Sequence, residues 1–233
     1  MLKNNQSNKP NNPLIELIIT IIIPTVIMMK LSSKELLGPI NALIVALAFP
    51  FLYLLVKLLQ EKKINFVALF GIISILLTGG IGILKLNTFW VPIKEAIIPL
   101  MIGIVVVFTR NTKYGLGRLM SRHILNQELL KTCLDDHNKQ NQLNTILEKG
   151  TLIIASSFLL SCILNFILAK HIVISPSGTE AFTQELGKLT ALSFPVISIP
   201  CMIVSGIALF YILNNLKKLL GVTLEQLMKS QST

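Results

Sequence analysis

Apolar residues in this chain fall in long unbroken runs, and short polar stretches between them hold most of the charge. Six runs, 14–29, 38–59, 66–86, 90–109, 151–174 and 189–213, approach or exceed the roughly 20 residues that a helix needs to cross about 30 Å of hydrocarbon. The first is the shortest. Apolar positions in these runs are continuous and do not alternate. That excludes a closed β-barrel, the other backbone arrangement that satisfies its own hydrogen bonds inside lipid. The pattern predicts an all-α fold, a polytopic bundle of six transmembrane helices.

The polar stretches divide the chain further. Residues 1–12 are rich in Asn, Lys and Gln and poor in apolar side chains, which predicts a disordered tail. Helices one to four occupy 13–109, and 110–150 form a cytoplasmic amphipathic connector. Helices five and six occupy 151–213, and 214–233 form a cytoplasmic terminal helix and tail. Within the connector, Leu116, Leu119, Met120, Ile124, Leu129 and Leu130 recur at helical spacing. Asp135-Asp136-His137-Asn138 breaks that helix, and a second short one is expected over Leu143 to Leu147. An outer loop over 170–188 contains the turn cluster Ser175-Pro176-Ser177-Gly178. Thr223-Leu224-Glu225-Gln226 has the form of a capping box. Pro24, Pro50, Pro99, Pro195 and Pro200 lie inside predicted spans, where each removes a backbone donor and favours a kink.

Composition agrees with the pattern. Of 233 residues, 52% are hydrophobic and 14% charged, against about 25% charged in soluble domains. The formal charge of +10 does not point to nucleic acid, because the basic residues are spread between spans and form no single soluble face. Their distribution orients the chain instead. With six spans, one side carries fifteen Lys and Arg residues and the other six. The positive-inside rule then places both termini in the cytoplasm. The first span is expected to be retained, since Met28-Met29-Lys30-Leu31 offers no small-x-small cleavage site.

Two polar stripes run inside spans. In the third, Ser74, Thr78 and Gly82 repeat every four residues, with Gly79 and Gly80 beside them. In the fifth, Ser157, Ser161, Asn165 and Ala169 do the same. Small residues at this spacing let helix backbones approach closely, so both stripes are expected to make tight helix contacts. Lys94, Glu95 and Asn165 are the candidate functional polar groups within the membrane, because such groups are costly there without a partner. Lys94 and Glu95 are sequence neighbours and point apart on a helix. Arg110, Lys113, Arg118 and Arg122 are placed to meet anionic lipid head groups.

Catalytic chemistry has no foothold in the pattern. His123, His137 and His171 show no ligand spacing, and Cys133, Cys162 and Cys201 are scattered. Neither a phosphate-binding loop nor a metalloprotease or serine-hydrolase motif is present. The expectation is no enzyme, no cofactor and no metal.

Several segments resemble a family of uncharacterised bacterial multi-pass membrane proteins, some of which carry a transporter label. They are 66–82, ending Leu77-Thr78-Gly79-Gly80-Ile81-Gly82, then Trp90 and Ile93-Lys94-Glu95. Ser157-Phe158-Leu159-Leu160-Ser161, Leu164-Asn165-Phe166 and Gly178-Thr179-Glu180-Ala181-Phe182 complete the set. More distantly, Gly79-Gly80, Lys94 and Asn165 are similar to features of intracellular septation protein A (YciB type). The connector at 110–150 and the loop at 170–188 depart from that family. The resemblance implies a non-enzymatic role in cell-envelope biogenesis through protein contacts, with the lipid bilayer and other envelope membrane proteins as partners. The alternative is a small-solute secondary transporter, for which a chain this short implies a homo-oligomer.

Overall fold

A computed structural model describes residues 13–61, 66–112, 115–125 and 137–227. Among these residues the fold is all-helical, with no β-strand. Helix α1 (Pro13–Leu17) continues through a π-helical turn (Ile18–Ile22) into α2 (Ile23–Lys30). There follow α3 (Pro39–Glu61), α4 (Phe66–Ile83), α5 (Trp90–Thr109), α6 (Leu116–Ile124) and α7 (His137–Ile172). Helix α8 (Glu180–Ser193) passes through a second π turn (Phe194–Ser198) into α9 (Ile199–Leu220), and α10 (Leu224–Leu227) follows. The predicted tail 1–12, Lys113, and the Leu129–Leu130 end of the amphipathic connector helix lie outside the described residues.

Both π turns have a local cause in proline. A proline ring clashes with the carbonyl four residues earlier and donates no hydrogen bond. For Pro24 that carbonyl belongs to Thr20, and for Pro200 to Val196, and each lies within a π turn. The wider turn relieves the clash. Pro50 and Pro99 are carried inside α3 and α5 without a change of helix type.

Among the described residues, four continuous helical stretches are long and apolar enough to cross a membrane: Pro39–Gln60, Trp90–Thr109, His137–Ile172 and Glu180–Leu220. Only 17–22% of their most apolar windows is buried inside the protein. Phe108, Met202 and Phe210 are each at least 70% exposed. A water-soluble protein does not leave apolar surface of that extent uncovered, so lipid is the solvent these faces match. Helix α4 is the shorter apolar case, counted from Leu69 to Ile83.

Two expectations are corrected by the helix boundaries. The predicted short helix at Leu143 to Leu147 is not separate. It is part of α7, which begins at His137 and spans 36 residues. At 1.5 Å per residue α7 is about 54 Å long, well beyond the ~30 Å of hydrocarbon. The loop predicted over 170–188 is likewise shorter, because α7 runs to Ile172 and α8 starts at Glu180. The Thr179 hydroxyl accepts from the Phe182 amide at 3.2 Å and caps α8. That cap is why the helix starts nine residues before the apolar run.

The chain divides into two compact units, Met1–Lys94 with Ile167–Phe194, and Glu95–Phe166 with Pro195–Thr233. In the first, α2 packs on α3 and α8, and α3 also packs on α4 and α8. Its core gathers Met28, Ala42, Leu43, Ala46, Ile81 and Phe182. A Cβ on Gly82 would lie 2.3 Å from Leu43 Cδ2 and 3.3 Å from Phe182 Cε1, so glycine sets how closely these side chains meet. The second unit has its own core of Leu125, Leu143, Leu147, Ile212, Leu216 and Leu227. There the Gln226 side chain accepts from the Thr223 amide at 3.0 Å, and the Gln226 amide donates to the Thr223 hydroxyl at 3.4 Å, the reciprocal cap expected from the sequence.

Candidate functional site

In the second unit, the Ser157 stripe of α7 meets α9. The Cys201 thiol lies 3.4 Å from the Ser157 carbonyl oxygen, and the Ser205 hydroxyl lies 3.5 Å from the Ser157 hydroxyl. Cys201 and Ser205 are four residues apart, as are Ser157 and Ser161, so two small-residue faces oppose each other. Nearer the N-terminus of α7, Gly150 faces Ile212, and a Cβ there would sit 2.4 Å from Ile212 Cγ1. Contacts from Ser157 to Cys201 and from Gly150 to Ile212 mean that α9 numbers rise as α7 numbers fall. The two helices are antiparallel. The α7 half of this seam is legible in the sequence as a stripe; the α9 half, Cys201-x-x-x-Ser205, has the same small-residue spacing but only two members.

The polar groups of the seam are internally engaged. Ser157, 5% exposed, donates its hydroxyl to the Ile154 carbonyl at 2.7 Å. Asn165 donates its side-chain amide to the Ser161 carbonyl at 2.8 Å and to the Ser161 hydroxyl at 3.2 Å. The partner that this amide requires in hydrocarbon thus lies on its own helix.

The remaining stripe residues belong to the first unit. Ala169 is fully buried in its core. Thr78 donates to the Ser74 carbonyl at 2.9 Å, a Cβ on Gly79 would rest 3.5 Å from Leu47, and one on Gly80 would meet nothing within 4 Å. Lys94 is 6% exposed, a buried lysine one turn into α5. Glu95, half-buried, falls in the second unit. Glu16 and Lys57, each near a predicted span end, form an ion pair at 3.6 Å, and the Lys57 ammonium also lies 5.8 Å from the centre of the Tyr53 ring. Their separation in sequence hid this pairing.

Of the basic connector residues, Arg118 is the best defined. Its guanidinium donates to the carbonyls of Asn111 (2.7 Å) and Thr112 (3.0 Å) just beyond α5, and approaches Glu148 of α7 at 3.5 Å. Arg118 therefore ties α6 to the end of α5 and to α7. Arg110 is half-buried, and Arg122 is placed on α6 by its backbone. The Gly117 amide donates to the Thr151 hydroxyl at 3.0 Å, while that hydroxyl donates to the Leu147 carbonyl at 2.8 Å.

In the first unit, the loop before α8 is held by Thr88, whose hydroxyl donates to the Ser175 carbonyl at 2.9 Å, and by Glu185. Gly178 has φ +81°, and a Cβ there would fall 2.9 Å from Lys85 Cγ. Among the described residues, no cluster of three or more His, Cys, Asp or Glu side chains is arranged to hold a metal ion. No family model matches the chain, and no curated protein or solved structure matches it either.

Proposed function

We propose that the chain is a six-span protein of the bacterial inner membrane with both termini in the cytoplasm. It acts as a septation-A-like protein in building the cell envelope, through helix and surface contacts and without catalysing a reaction. The observation that carries this reading is the engagement of the seam's polar groups with one another and with their own helices. Groups so used hold helices together, whereas a reaction centre needs convergent groups left facing a substrate. Six spans are supported by the four long apolar stretches plus α4 and the α1–α2 rod. Each of the latter two covers 18 residues, about 27 Å at 1.5 Å per residue. The fifteen-to-six split of basic residues supports the orientation.

Reporter fusions at Lys131 and Pro176 test the threading. Lys131 should report inside and Pro176 outside, and the reverse result defeats it. Affinity capture from solubilised membranes should recover envelope proteins, and a capture holding none removes the scaffold role. The second reading, a small-solute transporter, is favoured by the burial of Lys94 within an apolar helix. Saturable uptake into liposomes, lost in a folded Lys94→Ala variant, would put transport first.

A further inference from the structure

Below the Gly150–Ile212 contact, toward the N-terminus of α7, a groove of about 500 Å³ opens between α7 and α9. Lys149 of α7 and Lys218 of α9 line it together with the amides of Asn141, Gln142 and Asn215. Ile146 and Leu219 supply an aliphatic wall. The residues from α7 lie on one face over two turns.

Charge and depth decide what fits. The nearby carboxylate of Glu148 is taken up by Arg118 at 3.5 Å. Among the described residues, no ion pair or hydrogen bond engages the side chains of Lys149, Lys218, Asn141 or Gln142. The Asn215 amide donates to the Tyr211 carbonyl at 2.7 Å, so the groove offers two ammonium groups and the amide donors of Asn141 and Gln142, a set that suits a phosphate. Lys149 is two residues outside the apolar run starting at Thr151, about 3 Å along the axis, and Lys218 is five residues beyond Leu213, about 7.5 Å. The head-group layer adds about 5–7.5 Å on each face of the hydrocarbon, so both residues fall at its level. A soluble anion would gain nothing from the aliphatic wall, whereas a lipid would lay its glycerol and first methylenes there.

We infer that this groove is a binding site for the phosphate head group of an anionic phospholipid in the cytoplasmic leaflet. The inference rests on α7 and α9 crossing the membrane. Native mass spectrometry of the full chain, titrated with phosphatidylglycerol or phosphatidylcholine, tests it. Phosphatidylglycerol should be retained in preference, and Lys149→Gln with Lys218→Gln should lower that preference by about 30-fold. Lys139→Gln with Lys217→Gln removes the same charge at the same end outside the groove, and should leave the preference intact. An unchanged preference in the groove variant, or an equal loss in the control, overturns the site. Displacement of the lipid by glycerol 3-phosphate would make it a soluble-anion site and overturn the lipid assignment. Insertion into bilayer discs is scored separately: a chain that inserts without lipid preference defeats this inference alone, and one that does not insert defeats the spanning reading.

Discussion

Glu185 holds Ser175 with both carboxylate oxygens: Oε2 accepts the Ser175 amide at 2.9 Å and Oε1 the Ser175 hydroxyl at 2.6 Å. Oε2 also accepts the Ile174 amide at 3.0 Å. One side chain on the first two turns of α8 therefore terminates the loop that leaves α7. Hydrogen bonds to a charged group contribute about 1.5–3 kcal/mol. Glu185→Gln keeps one acceptor and loses the charge, so it should destabilise the loop by about 2 kcal/mol. Hydrogen exchange at Ile174 and Ser175 should accelerate by tenfold or more (about 1.4 kcal/mol per decade), and unaltered protection at both would refute the clamp.

Gly82 and Gly80 lie two residues apart on α4 and should respond oppositely to the same change. Gly82→Ala forces the buried Leu43 side chain to move, and overpacking of this kind costs about 1–3 kcal/mol. Gly80→Ala meets open space and should be neutral or stabilising by up to about 1 kcal/mol. Thermal unfolding in detergent separates the two, and equal midpoints would contradict the packing described.

Thr151 is the acceptor for a buried backbone donor, the Gly117 amide. Thr151→Val leaves that donor unpaired, at a cost of about 1–3 kcal/mol. Gly117→Ala should be worse, since its Cβ would lie 2.6 Å from the Leu147 carbonyl oxygen, which is backbone and cannot swing aside. Both variants should expose α6 to limited proteolysis faster than the parent. Identical cleavage rates would mean that α6 is not anchored there.

The hydroxyl oxygens of Ser157 and Ser205 are 3.5 Å apart across the α7–α9 seam. With Cys133, Cys162 and Cys201 replaced by Ala, Ser157→Cys combined with Ser205→Cys should cross-link on mild oxidation. Mass spectrometry of the digested protein reads the linkage. Ser157→Cys combined with Ala208→Cys, about one turn further along α9, tests the register, and preferential linkage of that pair would shift it.

The sequence made the spans legible because a lipid-facing helix is selected residue by residue for apolarity, a local property. The run at 90–109 coincides with α5, and the capping box at Thr223 forms as its spacing requires. Boundaries were lost where an apolar helix continues into polar sequence. The polar stretch His137 to Gly150 carries no transmembrane signal, yet it extends α7 because its inner face packs Leu143 and Leu147 against Ile212 and Leu216.

Sequence by itself determined an all-helical protein with long apolar stretches and identified the small-residue faces and Lys94 as the polar positions of interest. Tertiary structure alone decided which groups meet. It paired Glu16 with Lys57 and set Cys201 and Ser205 against Ser157. Apolarity is written along the chain, but a contact between residues forty or more positions apart depends on how helices are brought together, which no local spacing encodes.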